Sequence, residues 1–422
     1  MTATERQPPD NPMNFQSKKG VRMSQAPAFV FPGISRTASG LLRLGRKARA
    51  LLRDGVRKWR VGIEAAPSVE GQSAGKPEAP VIERTIGQEV AEICFTDGRF
   101  PEQWPRHGEC PACAGKDIVD AFAKAGFAHR RCRDCEFVFV DPFPPDDVAE
   151  RLYAGEYYTN YREFHELPGL IRDGAATKFT APDSALERVI SRATGERKEG
   201  AWLDVGGGLG AFADLVKRRR SGWAVTLNEL NPRSVEIAKA HFGVDNEPTS
   251  PAALFETGKR FDVISAISIV EHIPEPSQFV HAYARLLKPG GVLAICVPQF
   301  TALNRTVSRA SSANVAPPFH VSFFDVHNFE IMLRRTQLFD RIEITQDGGP
   351  AFSLLHLVDS STYWDITIPT RERPDPRSVM TKPYDLETAA VLNALGEAEQ
   401  KIGDYFGDRD GRLYVTALAW IR

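Results

Sequence analysis

The run Leu203-Asp204-Val205-Gly206-Gly207-Gly208-Leu209-Gly210 constrains this chain more than any other stretch, because it sets an acid and a glycine turn at the end of an apolar strand. The strand is read as Ala201 to Val205, and a helix is expected to begin near Ala211 with Phe212, Leu215 and Val216 at helical spacing. Glycines at 206, 208 and 210 let backbone approach a ligand where a side chain would collide. The pattern reads as the floor of a nucleotide-type cofactor site.

Gly206, Gly208 and Ala211 also satisfy the loose dinucleotide pattern, so the turn alone does not choose a ligand. In a dinucleotide fold the helix N-terminus faces a pyrophosphate, and Asp204 would set negative charge beside negative charge. S-adenosylmethionine has no phosphate but carries an ammonium and a sulfonium, which a carboxylate favours directly or through water. Asp204 therefore fits the methyl donor better. Trp223 to Glu229 reads as the next strand, with Glu229 placed to hold ribose hydroxyls, a need that both cofactors share.

From these residues onward the chain resembles the class I S-adenosylmethionine-dependent methyltransferases, over roughly Asp183 to Thr345. The resemblance continues through Phe261-Asp262-Val263-Ile264 as the fourth core strand, Ile269-Val270-Glu271-His272-Ile273 after it, and Leu286-Leu287-Lys288-Pro289-Gly290-Gly291 leading into a fifth strand, Val292 to Val297. It implies an α/β fold with a Rossmann-like seven-stranded sheet. Arg341 to Thr345 is read as the sixth strand, Leu413 to Ile421 as an antiparallel seventh, and Leu386 to Ile402 as a helix between them. The segment from Gly348 to Pro383, with Trp364, is long for a plain loop and is expected to cover the acceptor.

Four of the six cysteines fall as Cys110-x2-Cys113 and Cys132-x2-Cys135 with 18 residues between the pairs. Each pair places two thiolates about one metal, and four sulfurs suit a closed, structural Zn2+ site. The other readings are disulfides, which a reducing compartment disfavours, or a former site that kept its thiols. Ile118 to Phe122, Phe127 to Arg131 and Phe137 to Val140 are expected as three strands of a zinc ribbon over residues 105–145, with Cys94 and Cys296 as non-ligands. The ribbon, the run Phe137 to Pro144 and the tyrosines 153, 157, 158 and 161 together resemble a bacterial methyltransferase subfamily linked to sugars, surface polysaccharides and secondary metabolites. Glu136 departs from that subfamily, which usually has glycine after the last cysteine.

The net charge of −1 hides an asymmetry: residues 1–90 carry 15 Lys+Arg against 8 Asp+Glu. Residues 1–36 and 61–83 are poor in apolar periodicity and read as disordered or linker, so 1–90 is taken as an arm and 146–422 as the methyltransferase domain. Within the arm, residues 39–60 place Leu41, Leu44, Ala48, Leu51, Leu52, Val56 and Trp59 at near-helical spacing among eight Lys/Arg and one acid. This basic amphipathic helix is expected to meet an anionic membrane surface or a protein partner, or to pack on its own enzyme. No apolar run approaches the ~20 residues needed to cross a bilayer, and no secretory signal is visible. A cytoplasmic location follows, with peripheral attachment at the inner face of the membrane.

For sites, the expected donor-binding residues are Asp204, Gly206, Gly208, Gly210, Glu229 and Glu271, and the metal ligands Cys110, Cys113, Cys132 and Cys135. His272 is the candidate base, on the rim where open α/β sheets bind ligands; the bland alternative is a histidine that packs or caps a helix. His320 and His327 are candidates for facing the acceptor, and the four tyrosines for roofing the pocket or packing between ribbon and core. The acids at 245 and 247 both suit an adenine contact and neither is assigned. A small-molecule acceptor is expected, first a sugar or lipid-linked sugar hydroxyl. An RNA methyltransferase and a non-catalytic scaffold are the rivals. The ribbon lacks the dense basic and aromatic face of nucleic-acid modules, which disfavours RNA.

Overall fold

The computed structural model describes residues 83–171, 185–312, 314–350, 367–369 and 412–422. The basic segment 39–60, the expected helix 386–402 and most of the 348–383 segment lie outside the described residues. All described residues belong to the unit Ala74–Arg422.

Thirteen strands are described. Numbered along the chain, they are β1 (Glu83–Thr85), β2 (Ile118–Lys124), β3 (Phe127–Cys132), β4 (Val138–Val140), β5 (Gly200–Val205), β6 (Trp223–Asn228), β7 (Asp245–Asn246), β8 (Phe261–Ile267), β9 (Leu287–Pro298), β10 (Ser322–Phe323), β11 (Phe339–Pro350), β12 (Thr367–Pro369) and β13 (Arg412–Ile421). Seven of them form one sheet in the order β11-β13-β9-β8-β5-β6-β7. The segment β7-β6-β5-β8-β9 is parallel, and β13 inserts antiparallel between β9 and β11. The seventh-strand reading therefore holds, as do the strands at 201, 223, 261 and 292, each within a few residues at its ends.

The parallel strands read as near-continuous apolar runs because both faces are covered. On one face the helix Ala211–Arg219 buries Phe212, Leu215 and Val216 with Trp202, Trp223 and Val225. Its last turn carries Lys217, Arg218 and Arg219, which complement the C-terminal dipole. On the other face Leu203, Val205, Ile264 and Leu293 share a core with Tyr283 and Met332. Strand order reverses about β5 and β8, so their C-terminal ends open a crevice suited to ligand binding.

The ribbon strands β2, β3 and β4 form an antiparallel meander as expected, turning through Ala125 and Gly126 at φ of 50° and 85°. The fourth strand of this sheet is β10, supplied by the chain after β9. Cys110, Cys132, Cys135, Phe137 and Phe139 also share one core with Leu203 and Ile264 of the large sheet. A boundary at 145 thus divides the sequence but not the packing. The boundary at 90 likewise cuts through the helix Ile86–Cys94, whose Val90 and Cys94 are buried against Trp104 and Phe127.

Glu136 adopts φ of 63°, the left-handed region that glycine takes most readily, which accounts for the glycine expected there. Its carboxylate meets Arg131 and Arg305 at 3.3 and 3.6 Å. No described helix is long and apolar enough to cross a membrane.

Candidate active site

The turn after β5 is built by its glycines. Gly206, Gly208 and Gly210 sit at φ of 62°, 55° and 84°, where a side chain is strained. A Cβ on Gly206 would lie 2.2 Å from Ile269 Cδ1, so the turn and the segment after β8 approach more closely than any larger residue allows. Gly207, not singled out in the sequence, is also required: its Cβ would lie 2.7 Å from Asp204 Oδ2.

Asp204 is 1% exposed at the end of β5. Its Oδ1 accepts from Ser265 Oγ at 2.6 Å, while Oδ2 is buried with no partner among the described residues. Burial pushes its carboxyl up to about 7, against the Ser265 hydrogen bond and with the help of nearby Glu229. Glu229, just past β6, accepts from Gly208 N and Asn231 N, each at 2.8 Å. Asn246 holds the Glu229 backbone from both sides, accepting from its N–H and donating to its carbonyl. An acid with an uncommitted oxygen and a second acid fixed by backbone amides fit a ligand that presents a cation and hydroxyls.

These groups border a cavity of about 340 Å³ whose walls include Tyr153, Tyr158, Arg162, Glu229, His272 and Phe279. Gly206 and Glu229 line it, and Asp204, Gly208 and Gly210 belong to the strand end and turn beside it. Arg162 is the residue the sequence reading missed. Its guanidinium lies over the turn, 2.6 Å from where a Gly208 Cβ would be, and donates to Glu166 at 2.9 Å and to the Tyr158 hydroxyl. Its Nε is buried with no partner among the described residues. No motif marks it; the only hint was its place directly after the tyrosine cluster. Of that cluster, Tyr153 and Tyr158 line the cavity, whereas Tyr157 and Tyr161 stack on each other at 6.1 Å.

His272 ends the short 3-10 turn Val270–His272 after β8 and stands on the cavity wall. Its Nδ1 donates to Phe319 O at 2.8 Å, which leaves the lone pair on Nε2. Burial, with His320 beside it, holds the imidazole well below the usual histidine range, so it is neutral. The His320 ring lies 4.8 Å from that of His272, centroid to centroid, and its Nδ1 donates to Asn314 O at 2.7 Å.

Glu271 and His327 do not stand on the cavity wall. Glu271 is 2% exposed, burial pushes its carboxyl up to about 8, and its Oε1 lies 4.0 Å from His272 Nε2, with a carboxylate oxygen within 4.8 Å of a His320 ring nitrogen as well. His327 is exposed on the first turn of the helix Val326–Arg335, whose N-cap Asp325 and Asn328 fix it away from the cavity wall. Near the adenine-side loop both candidate acids are engaged: Asp245 by Lys239, and Glu247 by Lys259 Nζ at 2.7 Å to each oxygen.

The four ribbon cysteines converge. All four sulfurs lie within 4.8 Å of one another, with Cys110–Cys135 at 3.7 Å and Cys113–Cys132 at 3.6 Å. A tetrahedron with Zn–S bonds of about 2.3 Å has edges of about 3.8 Å, so the donor set and spacing fit that ion. Cys94 and Cys296 stand apart, buried, their thiols pushed up to about 12 and 11 by burial.

The sheet order, the glycine turn and the two acids define an S-adenosylmethionine-type site, and residues 179–339 match the family model described as a methyltransferase domain. That region is a methyltransferase domain. Among known proteins, the chain is 28% identical over 177 residues to a ubiquinone biosynthesis O-methyltransferase of Cereibacter sphaeroides, covering 40% of this chain and 68% of the relative. It is 29% identical over 123 residues to the protein of that name from Caulobacter vibrioides, covering 28% of this chain and 46% of that one. A solved structure, Haemonchus contortus phosphoethanolamine N-methyltransferase 2 with S-adenosyl-L-methionine, superposes with a TM-score of 0.38 at 16% identity, covering 67% of this chain and 62% of the other.

Proposed function

We propose that the protein transfers a methyl group from S-adenosylmethionine to a hydroxyl of a small polar acceptor, with a sugar or lipid-linked sugar as the first class to test. The observation that carries this reading is one cavity lined by Gly206, Glu229 and Arg162 together with neutral His272. Methyl transfer is an in-line displacement at an already activated carbon, so the protein chiefly aligns the partners and excludes water. Asp204 and Glu229 hold the donor's cationic and hydroxyl groups, and Arg162 takes its carboxylate. His272 Nε2 is read as accepting the acceptor's proton as the new C–O bond forms, its imidazole being neutral at the start of the step. His320 packs its ring on that of His272 and is read as supporting it.

A phenolic acceptor is the second reading. It is favoured by the aromatic wall of Tyr153, Tyr158, Phe279 and Tyr283 and by the relatives named for ubiquinone biosynthesis. Incubating the full chain with donor, and in turn with sugars, lipid-linked sugars, catechols and RNA, separates the readings by which acceptor gives product above background. Turnover on RNA alone would overturn the small-molecule assignment, and donor binding without any turnover would favour a scaffold.

Structural Zn2+ held by Cys110, Cys113, Cys132 and Cys135 belongs to the same proposal, supported by the sulfur spacing. So does peripheral attachment of a cytoplasmic enzyme to anionic membrane through residues 39–60. Deleting 1–60 is expected to abolish co-sedimentation with anionic liposomes while sparing turnover; unchanged sedimentation would refute it.

A further inference from the structure

Asp204 is held from beneath by two buried residues that face no ligand. Trp202 and Ser265 are both 0% exposed. Ser265 is the register partner of Asp204 across the parallel pair β5–β8. The indole Nε1–H of Trp202 donates to Ser265 Oγ at 2.8 Å, and Ser265 Oγ donates to Asp204 Oδ1 at 2.6 Å. An indole nitrogen is only a donor, so it occupies a lone pair of the serine oxygen and leaves the hydroxyl proton to be given away. Two acceptors are in reach: Asp204 Oδ1 and, at 3.5 Å, Leu203 O. The nearer one carries the charge, and a charge-assisted bond is the stronger.

The consequence lies on the other oxygen. With Oδ1 fixed, Oδ2 is directed under the glycine turn, where it would collide with any side chain at 207 and where no donor among the described residues meets it. We propose that Trp202 and Ser265 are positioning residues for donor binding: they form a relay that fixes the Asp204 rotamer so that Oδ2 is the oxygen presented to the donor. The relay rests on the reading of this turn as the S-adenosylmethionine site. It touches neither donor nor acceptor, so its effect falls on donor affinity and not on kcat at saturating donor.

The test is a double-mutant cycle on the full chain, with calorimetric Kd for S-adenosylmethionine and S-adenosylhomocysteine in wild type, Ser265→Ala, Trp202→Phe and the double variant. Ser265→Ala is expected to weaken binding about tenfold, since it removes a hydrogen bond to a charged group. Trp202→Phe removes the N–H donor together with part of the indole ring; its effect on binding through Ser265 is expected to be about threefold in wild type and to vanish once Ser265 is alanine. An equal effect of Trp202→Phe in both backgrounds would identify loss of packing and overturn the relay, as would unchanged affinity in Ser265→Ala. The double variant removes the indole N–H that Ser265→Ala alone would orphan, and Asp204 Oδ1 loses its donor in both, so its melting temperature should lie near that of Ser265→Ala, which keeps the cycle interpretable. If wild type itself binds neither ligand, the donor-site reading has failed, and the cycle never reaches the relay.

Discussion

Replacing Asp204 by asparagine should stabilise the protein while disabling it. Burial raises this carboxyl from 3.8 to about 7, and the group is 1% exposed, so solvent screening does not discount the effect. Each pKa unit is worth about 1.4 kcal/mol, which makes the ionised form cost on the order of 4 kcal/mol relative to an unperturbed acid. Asparagine keeps the shape and an oxygen for Ser265 but turns a charge-assisted hydrogen bond into a neutral one, giving back about 1–2 kcal/mol. A net gain of roughly 2–3 kcal/mol at pH 8 remains. The sign is set by linkage. A folded-state pKa raised above the unfolded value contributes stability that is whole below about pH 4 and is lost as pH rises through about 7. The gap between variant and wild type should therefore be small at pH 4.5 and full at pH 8, read as urea midpoints in donor-free protein. Donor affinity falls in the same variant, the usual conflict between a strained functional group and stability. A variant less stable at pH 8, or a gap equal at both pH values, would refute the reasoning.

Other outcomes follow from the same geometry. Arg162→Met should raise the Kd for S-adenosylmethionine about tenfold and leave 5′-methylthioadenosine, which lacks the carboxylate, unaffected; equal losses for both ligands would place Arg162 elsewhere. His272→Asn should lower kcat about a hundredfold or more with donor Kd unchanged. Because the wild-type imidazole is held below its usual range, kcat should not decline through protonation of His272 between pH 8 and 6; a titration near 6.5 would contradict the buried, neutral assignment. Elemental analysis should find about one zinc per chain. Cys132→Ser should lose it together with several degrees of melting temperature, since metal binding is coupled to folding, and a fully folded ribbon without metal would count against the site.

The core strands and the convergence of the four cysteines were legible because each rests on a local pattern: an apolar run closed by glycines, or thiols at fixed spacing. The places of Asp204 and Glu229 at the ends of β5 and β6 were legible for the same reason. What escaped depends on partners distant in sequence. Arg162 reaches Gly208 from 46 residues away, and Ser265 meets Asp204 only through sheet register. His320 joins Glu271 and His272 in one cluster from 48 residues further on, a meeting that the sequence does not encode. The ribbon was recognised strand by strand, but its fourth strand, β10, comes from beyond β9, so its union with the large sheet was not.

The central claim is a donor site at the turn after β5. Calorimetric titration of the full chain with S-adenosylmethionine and, separately, with NADH tests it most directly. Saturable one-to-one binding of the first and none of the second is expected, and that binding should be weakened by Asp204→Asn. Binding of NADH, or S-adenosylmethionine binding indifferent to both Asp204 and Glu229, would contradict it.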